Sequence, residues 1–176
     1  MMTAVTLGLM LAFEPKEPGI MKRMPRDPKA SILCGNLMKR VAFVSLILLA
    51  GAFGLFKWML AVKGASIEEA QTVAANVIVF GELFYLFNCR SLSHSMFYIG
   101  VFRNMAAIGG AFLMILLQIV FTNWSVMNRL FKTAPIGWDA WLAVSVFGVV
   151  LYVLVEIEKY LVGYKLEGQT IQVNSP

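Results

Sequence analysis

Val73-Ala74-Ala75-Asn76-Val77-Ile78-Val79-Phe80-Gly81-Glu82-Leu83-Phe84-Tyr85-Leu86-Phe87-Asn88-Cys89 decides the class of fold. The run is apolar enough, and just long enough, to cross a hydrocarbon core of about 30 Å as a helix. It contains one carboxylate, Glu82, well inside the apolar window. An ionisable group at that depth costs a few kcal/mol or more unless it faces a partner or a cavity, so Glu82 is the first residue to ask about function.

Three further windows of the same kind flank it, at about Arg40 to Val62, Met105 to Thr122 and Trp138 to Ile157. A fifth apolar run, Met1 to Phe13, meets glutamate and proline too early to span and reads as the C-terminal half of a helix. Of the 176 residues 59% are hydrophobic and 14% charged, against about 25% charged in soluble domains. Spanning segments must satisfy their backbone hydrogen bonds internally, and these runs lack the strict alternation of barrel strands. The expected fold is therefore all-α membrane, a helical bundle of four complete transmembrane helices plus half of a fifth. Met1-Met2-Thr3-Ala4 lacks the basic start of a signal peptide.

Charge placement sets the topology. Lys16, Lys22, Arg23, Arg26, Lys29, Lys39, Arg40, Arg90, Arg103, Lys159 and Lys165 fall on one side of the predicted helices, and they outnumber Lys57, Lys63, Arg129 and Lys132 on the other. Basic flanks stay in the cytoplasm, so the C-terminus is expected there and the half-helix runs from mid-membrane towards it. Trp58, Trp124, Trp138 and Trp141 all fall near predicted outer ends, as an interfacial aromatic belt requires. The net charge of +5 is thus topological and implies no nucleic acid. The expected organisation is a truncated helix end at 1–13, a basic Pro-rich cytoplasmic loop at 14–39, a four-helix region at 40–161 and a cytoplasmic tail at 162–176.

Other polar residues read more simply. Asn76 lies on the same helix as Glu82, one to two turns outward, and is a weaker ion-path candidate; Tyr85 and Val79 share the Glu82 face. Gln118 and Asn104 suit interhelical hydrogen bonding. Glu156 and Glu158 beside Lys159 suit local ion pairs at the cytoplasmic end. Gly51, Gly54, Gly109, Gly110 and Ala111 permit close helix approach. His94, Cys34 and Cys89 make no metal-ligand pattern. Asn123-Trp124-Ser125 has the form of a glycosylation acceptor, placed too close to the bilayer for ready use.

Leu11-Ala12-Phe13-Glu14-Pro15-Lys16-Glu17-Pro18-Gly19-Ile20-Met21-Lys22-Arg23-Met24-Pro25-Arg26-Asp27-Pro28-Lys29 resembles the cytoplasmic loop after the sixth transmembrane helix of P-type cation pumps. Its prolines hold the segment extended and deny it a helix. Gly81-Glu82-Leu83-Phe84-Tyr85-Leu86-Phe87-Asn88-Cys89-Arg90-Ser91 resembles the eighth helix of the same pumps. The resemblance covers about residues 1 to 165 and points to the calcium-pump-like branch. It implies a pump phosphorylated on aspartate by ATP, with ATP and Mg2+ used by the complete protein and no cofactor bound by this stretch. It also implies that the loop bearing Glu14, Pro15, Met21, Arg23, Pro25 and Arg26 couples phosphorylation to the membrane.

The family's Asp-Lys-Thr-Gly-Thr and Thr-Gly-Glu sequences do not occur in these residues, so this chain alone is not expected to hydrolyse ATP. In calcium pumps the sixth helix unwinds at Asn, two residues, Thr, Asp, Gly. By resemblance Thr3 takes the threonine, while Ala4 replaces the aspartate and Val5 the glycine. Divalent affinity depends on ligand charge, so the cation is left open between calcium, proton, sodium and potassium. Thr6 offers another oxygen, or bonds back to its own helix. Glu82 is the best candidate ligand for any metal.

The leading expectation is a C-terminal membrane segment of a P-type ATPase that contributes part of the cation path and the coupling loop. Its partners are the bilayer, the remaining catalytic and transmembrane parts of the pump, and the transported cation. The setting is a prokaryotic cell membrane. The alternative is a non-enzymatic membrane interaction or accessory subunit that docks through its half-helix; an independent channel comes third.

Overall fold

A computed structural model describes residues 2–13, 35–89 and 104–173. The residues expected to couple, Glu14, Pro15, Met21, Arg23, Pro25 and Arg26, and also Cys34 and His94, lie outside these. Six helices are described: α1 (Met2–Ala12), α2 (Gly35–Ala61), α3 (Ile67–Cys89), α4 (Met105–Asn123), α5 (Ser125–Phe131) and α6 (Trp138–Val173). Four of them, α2, α3, α4 and α6, are long and apolar enough to cross a membrane. The four expected windows therefore correspond to four helices. The seven-residue α5 had no counterpart in the sequence reading, and α6 continues as helical backbone past the point where its apolar window closes.

Local chemistry explains where the helices begin. Ser66 and Glu69 form a reciprocal cap on α3: the Ser66 amide donates to Glu69 Oε2 (2.9 Å) and the Glu69 amide to Ser66 Oγ (3.2 Å). Asn104 caps α4 by accepting from the Ala107 amide at 3.0 Å. After α4, Trp124 is extended (φ −82°, ψ 121°), and α5 stops at Lys132, which adopts a left-handed conformation at φ 52°. Asn128 closes that corner, accepting the Thr133 hydroxyl on its side chain and the Thr133 amide on its carbonyl.

The short turn between α2 and α3 makes them antiparallel, and the Lys63–Asp139 ion pair (2.5 Å) ties that turn to the start of α6. One end of the bundle thus gathers Trp58, Trp124, Trp138 and Trp141, and we call it the tryptophan end. The opposite end gathers Arg40, Glu156, Glu158 and Lys159. The four tryptophans sit together at one end, where an interfacial belt would place them.

Helix α3 is the hub. Half of its apolar window is buried, against 11% for α2, and it packs on α1, α2, α4 and α6. Towards the tryptophan end it contributes Ala70, Val73, Val77 and Phe80 to a core shared with Ala52, Met59, Ile136, Ala140 and Val144. Towards the other end Leu83 and Leu86 meet Leu7 of α1 and Ala111 and Met114 of α4. Val44, Leu151 and Val155 join α2 to α6. The faces turned outward, such as Phe112, Leu113, Leu116 and Leu117 of α4, are exposed apolar surface of the kind that faces lipid.

Two of the small residues do close helices together. A Cβ on Gly51 would fall 2.1 Å from the Phe147 ring, and one on Gly110 would overlap Met10. Gly54 and Gly109 have open space around them, so the close approach runs along only one face of α2 and one of α4.

Candidate functional site

Glu82 stands on the face of α3 that receives α1. Thr3 donates its hydroxyl to Glu82 Oε2 at 2.8 Å, across 79 residues of sequence. Two of the four ion-path candidates, Glu82 and Thr3, are therefore in direct contact, both half-buried. Beyond Thr3, α1 runs alongside α3 in the same direction. Leu7, Gly8 and Leu11 form with Glu82, Tyr85, Leu86 and Cys89 a groove of about 210 Å³. A carboxylate in an apolar helix is tolerated when it meets a hydroxyl and a cavity, and Glu82 has both. Thr6 lies one turn along from Thr3 and is also half-buried.

Chemically, the pair offers hard oxygen: a carboxylate that carries charge or a proton, and a hydroxyl able to donate to it or to turn its lone pairs to a cation. Among the described residues no group of three or more His, Cys, Asp or Glu side chains is placed to hold a metal ion. A cation at Glu82 would need further oxygen from hydroxyls, carbonyls or residues outside those described.

Asn76 sits elsewhere. It is fully buried, and six residues of helix put it about 9 Å along the axis from Glu82. Its Nδ2 donates to the Thr72 carbonyl (2.8 Å) and Thr122 Oγ1 (3.3 Å), and its Oδ1 accepts from Gln118 Nε2 (3.0 Å). Gln118 is thus the interhelical bonding residue that its position implied. Thr72 and Thr122 belong to the same cluster and escaped the sequence reading. Each lies four residues from a member already singled out, Asn76 on α3 and Gln118 on α4, which was the available signal. Thr72 Oγ1 also accepts the Ala134 amide at 3.0 Å, pinning the segment before α6.

The charged end is more interlocked than local ion pairs require. Lys159 does approach Glu156 (3.7 Å), but its Nζ also donates to the Asn88 carbonyl at 2.7 Å, capping the C-terminus of α3. Glu158 pairs across the bundle with Arg40 of α2.

A bundle with four helices apolar and long enough to span a bilayer, and a carboxylate–hydroxyl pair between two of its helices, defines an integral membrane protein. Comparison with known proteins gives the family: residues 1–161 match the model described as "Cation transporting ATPase, C-terminus". The chain belongs to that family, the C-terminal transmembrane region of P-type cation-transporting ATPases. It is 44% identical over 161 residues to the probable cation-transporting ATPase F of Mycobacterium tuberculosis, covering 92% of this chain and 18% of that protein. It is 33% identical over 147 residues to the cation-transporting ATPase pma1 of Synechocystis, covering 80% and 16%. Calcium-transporting ATPase 1 of Bacillus cereus is 27% identical over 173 residues, covering 86% and 19%. The chain thus spans less than a fifth of the length of these relatives.

Proposed function

We propose that this chain supplies the last part of the membrane domain of an ATP-driven cation pump, and that Glu82 and Thr3 form part of the cation's path through it. The observation that carries this reading is the 2.8 Å contact between the Thr3 hydroxyl and the Glu82 carboxylate. Two separately chosen candidates, 79 residues apart in sequence, meet at a groove between α1 and α3. Asn76 serves the path indirectly, by fixing α3 against α4 while its own amide is spent on neighbours. The loop from Glu14 to Arg26 passes the state of the phosphorylated domains to α1, which it follows directly.

The complete pump would use ATP and Mg2+ in domains outside these residues, and the C-terminus would lie in the cytoplasm of a prokaryotic cell. With Ala4 and Val5 in place of the calcium-pump aspartate and glycine, the site carries less charge, which favours a proton or monovalent cation over calcium. The test is ATP-dependent transport by the full-length pump in vesicles, with calcium, sodium, potassium and proton movement measured in turn. Loss of transport in Glu82→Gln, with assembly intact, supports the reading. Unaltered transport of every cation in that variant overturns it and favours an accessory, non-transporting role for this segment.

A further inference from the structure

Helices α4 and α6 both approach α3 but leave a cleft of about 480 Å³ between them, lined by Phe80, Ile115, Ile119, Asn123, Trp138 and Trp141, with Ile136 and Ser145 completing it. Its mouth is at the tryptophan end, where Asn123 closes α4 and Trp138, 90% exposed, opens α6. From Asn123 to Ile115 the wall descends about 12 Å, at 1.5 Å per residue. That depth stays within one leaflet of a hydrocarbon core about 30 Å thick. The lining changes with depth: an amide and an indole at the mouth, then Phe80, Ile115, Ile119 and Trp141 below, with the Ser145 hydroxyl at the floor spent on the Trp141 carbonyl (2.9 Å). Phe80 and Trp141 stack edge to face (5.7 Å between centroids, 62°), making one wall rigid.

We infer that this cleft is a binding site for one acyl chain of a phospholipid from the leaflet at the tryptophan end, with the lipid's ester region at Asn123 and Trp138. The volume lies in the range of about 300–1,000 Å³ typical of small-ligand pockets between helices. A mostly apolar lining holds water poorly, and an unfilled cleft facing hydrocarbon would forfeit its contacts. The polar mouth and apolar floor match an amphiphile inserted tail first. The inference concerns a different face of α3 from Glu82 and holds whichever cation is transported.

The test uses phosphatidylcholine nanodiscs containing a trace of phosphatidylcholine with a photoactivatable diazirine on its acyl chain, with the chain studied both alone and within the full-length pump. Mass spectrometry should find label on Ile115 and Ile119 several-fold above Leu113 and Leu116, which lie within about 3 Å of Ile115 in depth on the open face of α4. Filling the cleft by Ile119→Trp, or from the other wall by Ser145→Phe, should bring the Ile115 label down to the Leu113 level. Equal labelling of all four residues, or labelling indifferent to both substitutions, would overturn the inference. So would label at Ile115 in the isolated chain that disappears in the full-length pump, because another part of the pump would then occupy the cleft.

Discussion

Arg40 Nε of α2 and Glu158 Oε2 of α6 lie 2.8 Å apart, with only 11% and 21% of their side chains exposed, and so lock together the charged ends of two helices far apart in sequence. Removing one partner of a largely buried pair leaves an uncompensated charge, at a cost of up to about 3–5 kcal/mol. Arg40→Leu and Glu158→Leu should each lower the unfolding midpoint in detergent, and the double variant should lose less than the sum of the two. Strictly additive losses would show that the pair contributes no coupling.

The Asn76 amide joins α3 to Gln118 and Thr122 of α4. Interhelical hydrogen bonds in membranes are worth about 0.6 kcal/mol on average and up to about 1.7. A double-mutant cycle with Asn76→Ala and Gln118→Ala should therefore return a coupling in that range. Asn76→Ala should be the more damaging single change, because it strands two partners.

Gly51 and Gly54 look alike in sequence and differ in the bundle. Gly51→Ala drives a methyl into the Phe147 ring and should cost about 1–3 kcal/mol, the usual range for overpacking. Gly54→Ala meets nothing within 4 Å and should be neutral or stabilising. Thermal melts of the two variants side by side decide this.

How far the sequence revealed the molecule follows from the range of each interaction. Hydropathy over about twenty residues is a local property, so all four spanning helices could be read from their windows. Helix rotation is not local: spacing alone did not separate Gly51 from Gly54, or Gly110 from Gly109, because it does not say which face meets Phe147 or Met10. Glu82 stood out because a carboxylate in an apolar run is costly. Its contact with Thr3 depends on how α1 docks: the resemblance to cation pumps singled out Thr3 by itself, and nothing in the sequence joined the two. Thr72 and Thr122 passed unnoticed because a threonine in a helix ordinarily bonds back to its own backbone; Thr72 does so, to the Glu68 carbonyl, while also accepting the Ala134 amide. Glu158 was read as a partner of its neighbour Lys159, whereas the bundle turns it to Arg40.

The most direct measurement is a double-mutant cycle on apparent cation affinity in the full-length pump, using Thr3→Val and Glu82→Gln. Hydrogen bonds to charged groups are worth about 1.5–3 kcal/mol, so each single change should weaken affinity by about tenfold or more. The double variant should be little worse than Glu82→Gln alone, because Thr3 acts through the carboxylate it touches. Unchanged affinity in Glu82→Gln, or fully additive losses across the cycle, would contradict a shared site for these two residues.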